Sequence, residues 1–238
     1  MTPQVYTALL PGGAAAVMDI RTGRGQWRHL NATAAALWTQ ITEGVPLAQA
    51  LDALCDRFTG QGADRDTVRT DLAALAAQLH ATGLLDAHPA PAPAPGNSHL
   101  TARLTPAATA RPAAADRAAR LLGLVTALAL LRCAPIRSSV ALAASLARRD
   151  RPAATAEQAD HLFQAVRRAG RLWPGRVACL EESLAVYLAA RVRGRRVVWV
   201  IGARTAPAAA HAWTEAGGEV IGQDLADRLW PYAPALRI

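Results

Sequence analysis

The sequence predicts an α+β fold built in two unlike halves. Residues 4–86 read as three short strands followed by three helices. Residues 114–238 read as helices followed by a strand and a hairpin. Between them lies AHPAPAPAPGNSHLTARLTPAATARP, an Ala-Pro repeat that favours extended geometry and marks the clearest boundary in the chain. The expected organisation is therefore a winged-helix-like unit at 1–86, a linker at 87–113 and a second α+β unit at 114–238.

Bulk properties narrow the function classes. The chain has 238 residues, 52% hydrophobic and 18% charged, long enough for a sizeable core and unlike a disordered composition. Residues 1–86 carry six Arg against eight acids, and residues 87–238 carry twenty Arg against ten. That basic half suits an acidic peptide, nucleic acid or anionic lipid equally. Three cysteines, Cys55, Cys133 and Cys179, lack the paired spacing of a disulfide framework or zinc site. No metal or other cofactor is expected. The apolar run Leu121–Leu131 is shorter than the roughly 20 residues that span a bilayer. It predicts a buried helix, with Cys133 as inert core. No signal-like segment precedes it, so the expected location is the cytoplasm.

The first strands are VYTALL, AAAVMDI and GQWRHL, separated by Pro11-Gly12-Gly13 and Thr22-Gly23 turns. Asn31 caps a helix with Ala34, Leu37, Trp38 and Ile41 on one face. Gly44 ends it and Pro46 opens the next, which carries Leu47, Leu51 and Leu54. A third helix, about 64–81, turns Val68, Leu72, Leu75 and Leu79 inward. A winged helix can bind DNA, but the second and third helices carry more Asp than Arg, which suits phosphate poorly. An open sheet edge can instead accept a peptide as an extra strand.

The second half opens with the apolar helix, which Pro135 breaks. Two further helical patterns follow: one through Val140, Leu142 and Leu146, one from about 156 to 170. His161 on the latter lacks a neighbouring nucleophile or carboxylate motif and reads as a surface or partly buried residue rather than a catalytic one.

The chemistry concentrates in Cys179–Asp224. Cys179 opens a helix, where the positive end of the helix dipole favours thiolate. After the strand VVWVIG, Gly217-Gly218 forms a two-residue hairpin turn. Counting outward from that turn pairs Ala216 with Glu219, Thr214 with Ile221, Trp213 with Gly222 and His211 with Asp224. Directly opposed residues have Cβ atoms about 4.5–5.5 Å apart, within reach for a carboxylate to orient an imidazole. Trp213 shares the face of His211 and would shield the pair from water. A bulge would break this register and present Gln223 or Asp227 instead. Cys179, His211 and Asp224 thus have the chemistry of a nucleophilic triad.

Two resemblances follow from these residues. VMDIRTGRGQWRHLN, TAAALW and LAAQLHATGLL resemble the leader-recognition domains related to the pyrroloquinoline quinone D-type (PqqD-like) chaperone. That resemblance implies a leader peptide pairing with Gly25, Gln26, Trp27, Arg28, His29 and Leu30 and packing near Val68, Leu72 and Leu75; the last three read equally as plain core. CLEESLAVYLAARVRGRRVVWVIGAR and AHAWTEAGGEVIGQD resemble the lasso-peptide B proteins, which implies a papain/transglutaminase-like cysteine protease fold for 114–238. In that family the protease removes the leader of a precursor peptide, and an asparagine-synthetase-like, ATP-dependent cyclase closes a macrolactam on the freed amine. The family triad carries over to Cys179, His211 and Asp224. Two departures stand out: Glu182 occupies a position where relatives often have Arg, and the His-to-acid spacing varies among them. The competing readings are an acyl transferase using the same triad and a DNA-binding winged-helix regulator with a degenerate enzyme domain.

Overall fold

The computed structural model describes residues 3–87, 89–90, 101–104, 114–223 and 232–238, the side chains of 101–104, 114–116 and 223 excepted. The three expected N-terminal strands form as β1 (Val5–Leu9), β2 (Ala15–Asp19) and β3 (Gln26–Leu30), an antiparallel sheet in the order β1-β2-β3. Three helices follow: α1 (Ala32–Thr42), α2 (Leu47–Gly60) and α3 (Arg65–Ala81). Asn31 caps α1 by accepting the Ala34 N–H at 2.9 Å, and Asp64 caps α3 by accepting the Thr67 N–H at 2.9 Å. Val5, Ala15, Val17 and Leu30 on one face of the sheet bury against Leu37, Trp38, Leu54, Leu72 and Leu79. The Trp38 indole N–H donates to Thr7 Oγ1 at 3.0 Å, so its one polar atom is satisfied inside this core. Arg21 ties the end of β2 to the end of α3, bridging Asp19 at 2.7 Å and donating to the Gly83 carbonyl at 2.7 Å.

The second half contains β4 (Thr101–Leu104), α4 (Ala114–Cys133), α5 (Ile136–Ala147), α6 (Ala156–Arg171), α7 (Cys179–Val192), β5 (Val198–Arg204), β6 (Ala209–Ala216), β7 (Glu219–Gln223) and β8 (Ala233–Arg237). Its sheet has the order β4-β7-β6-β5-β8, with β4 parallel to β7 and the other pairs antiparallel. Helix α7 lies on this sheet and is covered in turn by α4 and α6. Among the described residues no helix is long and apolar enough to cross a membrane.

Three expectations are modified. The span 87–113 is more than a spacer. Ala90 N–H donates to the Val5 carbonyl at 2.8 Å, and β4 adds to the sheet beside β7. Strand edges present unpaired backbone groups, and an extended Ala-Pro-rich segment can satisfy them. Helix α4 is not buried all round. Its Leu124, Ala127, Leu128 and Leu131 face the core, while Leu121, Leu122 and Val125 are 51%, 56% and 55% exposed. Cys133 at its end is exposed rather than core, because the helix contributes only one face to the layer below.

The two halves share one core. The second face of the N-terminal sheet, with Tyr6, Ala8, Ala16, Met18 and Ile20, is continuous with Leu128, Leu131, Ile136, Leu184 and Leu236. Strand β1 packs beside β8, and the Ile136 N–H donates to the Gly23 carbonyl in the β2–β3 turn at 3.0 Å. The first half is thus docked through a hydrophobic face, not merely tethered.

Helices α4 and α7 cross at Gly123, where a Cβ would meet the Ala185 carbonyl oxygen at 2.5 Å and the Ala189 nitrogen at 3.0 Å. Backbone cannot yield as a side-chain tip can. Gly123→Leu is expected to destabilise the protein by about 1–3 kcal/mol or more and to lower its melting midpoint by roughly 3–10 °C. Because the core is shared, calorimetry of the native chain should give one transition for both halves rather than two.

Candidate active site

Cys179 occupies the first position of α7, preceded by Ala178 in extended conformation. Glu181 Oε2 accepts the Ala178 N–H at 3.0 Å. This is half of a capping box, since Ala178 has no side-chain oxygen to return the bond. The remaining N–H groups of the first turn lie beside the thiol.

The helix is locked to the sheet by buried polar contacts. Ser183 Oγ accepts the Trp199 indole N–H from β5 at 3.0 Å, and the Thr214 hydroxyl of β6 donates to the Ser183 carbonyl at 3.4 Å. Farther along, the Tyr187 hydroxyl donates to the Ala143 carbonyl of α5 at 2.7 Å. These bonds hold the start of α7 against β6, the strand that carries His211. Cys179 and His211 consequently line the same cavity, about 210 Å³ in volume, together with Phe163, Arg167, Glu182, Trp213 and Gly222.

His211 pairs with Gly202 on β5. A Cβ at Gly202 would lie 2.4 Å from the Ala233 carbonyl oxygen and 2.7 Å from the Trp213 ring, so only glycine lets both approach. The Trp213 ring stacks near His211 at 6.0 Å between centroids and 16° between planes, and Tyr232 lies 5.1 Å away at 35°. Alternation along β6 had predicted the Trp213 contact. Two residues further on the same face, buried Glu215 accepts the Trp213 indole N–H at 2.9 Å and pairs with Arg237 of β8. The sequence signal for Glu215 is that same alternation. Tyr232 and Arg237 reach the site only through the return of β8, which no local pattern announces.

The hairpin register is kept at its tip and interrupted further out. Gly217 and Gly218 have φ of +58° and +79°, the left-handed pair of a type I′ turn. The pairs Ala216–Glu219, Glu215–Val220 and Thr214–Ile221 follow as expected. Beyond them, among the described residues, Trp213 and Gly222 do not continue the ladder. Gly222 has φ +72°, and a Cβ there would sit 2.3 Å from the Phe163 ring. The β4–β7 register also shifts between Ala102 and Leu104, whose partners are Val220 and Gln223. An irregularity of this kind interrupts the regular ladder at the end of β7. Asp224 and Asp227 lie outside the described residues. Gln223 ends β7, and its side chain is outside them too.

Glu182 lines the cavity one turn after Cys179, its side chain 17% exposed and 3.5 Å from Arg167. Burial pushes its carboxyl above the ordinary value, and the Arg167 and Arg171 charges only partly oppose this. Among the described residues no group of three His, Cys, Asp or Glu side chains is placed to hold a metal ion.

The expected leader-binding residues divide by exposure. Strand β3 is an edge of its sheet. Gln26 and His29 are exposed, Gly25, Trp27 and Arg28 are half-buried, and Leu30 is buried. On α3, Leu72 is buried, while Val68 and Leu75 are half-buried beside it. Arg28 Nε is buried without a hydrogen-bond partner among the described residues.

Comparison with known families agrees with this architecture. Residues 15–85 match the family described as Coenzyme PQQ synthesis protein D (PqqD), and residues 121–237 match the Transglutaminase-like superfamily. No curated protein and no solved structure gives a significant match to the chain. The chain is therefore a PqqD domain joined to a transglutaminase-like domain, the latter pointing to a cysteine-protease-like enzyme. That pair of domains matches a lasso-peptide B protein with a fused PqqD-like domain.

The raised carboxyl of Glu182 makes a signed prediction. Such an acid contributes its full stability at pH below its unfolded value, and this is lost as pH rises through the higher folded value. Glu182→Gln stays neutral throughout. Relative to the native protein it should match in chemical denaturation near about pH 3.5 and be at least as stable near about pH 7.5, since the ordinary Glu value is about 4.3.

Proposed function

We propose that this protein is a leader peptidase of lasso-peptide maturation. Its units are taken as recognition domain 1–86, linker 87–113 and peptidase domain 114–238. The observation that carries the reading is the placement of Cys179, at the first position of a helix, and His211 in one cavity of a chain that also holds a PqqD domain. The edge of β3, unpaired among the described residues, offers main-chain groups to an extended leader running along Gly25, Gln26, Trp27, Arg28, His29 and Leu30. Val68 and Leu75 would contact its side chains at the rim, Leu72 supporting them from the core. Arg28 Nε would take an acceptor oxygen from the leader.

In this mechanism His211 withdraws the Cys179 proton and the thiolate sulfur attacks the scissile carbonyl carbon. Backbone N–H groups at the start of α7, including that of Cys179, hold the oxyanion. His211 then protonates the leaving amine, and water hydrolyses the thioester to release the leader acid and restore the thiol. Asp224 is the proposed partner that orients His211, with Gln223 and Asp227 as the alternatives. The freed amine is the group that an asparagine-synthetase-like cyclase, acting with ATP in the cytoplasm, would join into a ring. No nucleic acid enters this scheme.

The test is incubation of the protein with the precursor peptide encoded beside it, read by mass spectrometry. Hydrolysed leader plus a core peptide with a free amine is expected; an amide-linked product would instead identify an acyl transferase. Cys179→Ala should abolish cleavage while leader affinity, measured by fluorescence anisotropy, stays within about two-fold. Retained cleavage, or lost binding in a folded variant, would overturn the assignment.

A further inference from the structure

The proposed recognition strand touches the end of β5, whose last residue, Arg204, reaches a ring beside the proposed catalytic imidazole. Trp27 and His29 alternate onto the face of β3 turned toward the second half, and Trp27 packs on the shared core. His29 Nε2 lies 3.3 Å from the carbonyl oxygen of Arg204, the last residue of β5. Arg204 Nε donates to the Pro207 carbonyl at 3.2 Å, across the turn that leads into β6. Its guanidinium carbon sits 4.9 Å from the centre of the Tyr232 ring, and Tyr232 in turn lies 5.1 Å from His211. A short series of contacts thus runs from the edge strand to the imidazole: His29, Arg204, Tyr232, His211.

Resting on the leader-peptidase reading, we propose that Arg204 and Tyr232 are positioning residues that couple occupancy of the β3 edge to the orientation of His211, so that a docked leader raises turnover as well as affinity. The physical basis is desolvation. His29 is exposed and Arg204 half-buried. A strand added beside β3 covers this corner and removes water from both contacts. Hydrogen bonds and cation–π pairs strengthen when water is excluded. The leader thereby has a stronger interaction with one arrangement of Arg204 and Tyr232 than with the others, which is the condition for shifting a conformational equilibrium. The strengthening expected for one cation–π pair corresponds to roughly a five- to ten-fold change in the population of the productive arrangement.

The experiment uses a short peptide spanning the scissile bond, with the leader supplied as a separate peptide. In the full-length native protein, saturating leader should raise kcat on the short peptide about five-fold or more. Arg204→Ala should lose this stimulation while its Kd for the leader stays within about two-fold of the native value. Arg204→Lys, which keeps a cation over the ring, and Tyr232→Phe, which keeps the ring itself, should both retain most of it. Stimulation that persists in Arg204→Ala, a native response confined to KM, or stimulation lost only in step with leader affinity would overturn the coupling. Cleavage of the intact precursor is measured in parallel. Native cleavage without stimulation removes the coupling alone; no native cleavage removes the peptidase reading and the coupling with it.

Discussion

The arrangement of the candidate site depends on one buried polar junction, where Ser183 of α7 meets Trp199 of β5 and Thr214 of β6. Apolar packing fixes how closely a helix approaches a sheet but tolerates small slides along the strands. Directional bonds remove that freedom. Ser183 lies one turn beyond Cys179, and Thr214 lies three residues beyond His211. A slide of α7 would break both bonds at once and leave buried polar atoms unsatisfied, a penalty larger than the bonds' net worth. The thiol and the imidazole are thereby held in one cavity, which Ser183 and Thr214 themselves help to line. The Gly123 crossing acts from the opposite side, letting α4 press its backbone onto α7.

The shared core changes what the Ala-Pro segment does. A tether alone raises effective concentration and leaves orientation free. Here the N-terminal sheet buries both faces, one on its own three helices and the other on the second half. The orientation of β3 relative to α7 and β6 is then a property of the fold. Extended chain around residues 89–90 and 101–104 pairs with β1 and β7, so the connection also covers edges that would otherwise invite pairing with another molecule.

Much of this was legible in the residues because the signals were local. The Gly-Gly turn, the Asn31 cap and the start of α7 at Cys179 are each set within a few positions, and each forms as expected. The strands and helices of the first half follow their hydrophobic periods closely. What was not legible depends on distant partners. Periodicity marked α4 as apolar all round, yet burial depends on what covers each face, and nothing in the described residues covers Leu121, Leu122 and Val125. The Glu215–Arg237 pair and the approach of Tyr232 to His211 need the return of β8, which no window of the sequence contains.

The interruption at Gly222 shows how a local rule is overruled by packing. The turn sets the register of the hairpin, and three pairs obey it. At the fourth, the Phe163 ring of α6 presses onto β7 so closely that no side chain fits. A regular strand would place a Cβ against that ring. The chain instead takes a left-handed glycine and shifts its register against β4. Counting residues from the turn therefore sets the hairpin ladder only as far as Ile221, where packing between α6 and β7 intervenes. Phe163 and Gly222, which carry no catalytic chemistry, thus set where the hairpin ladder stops among the described residues.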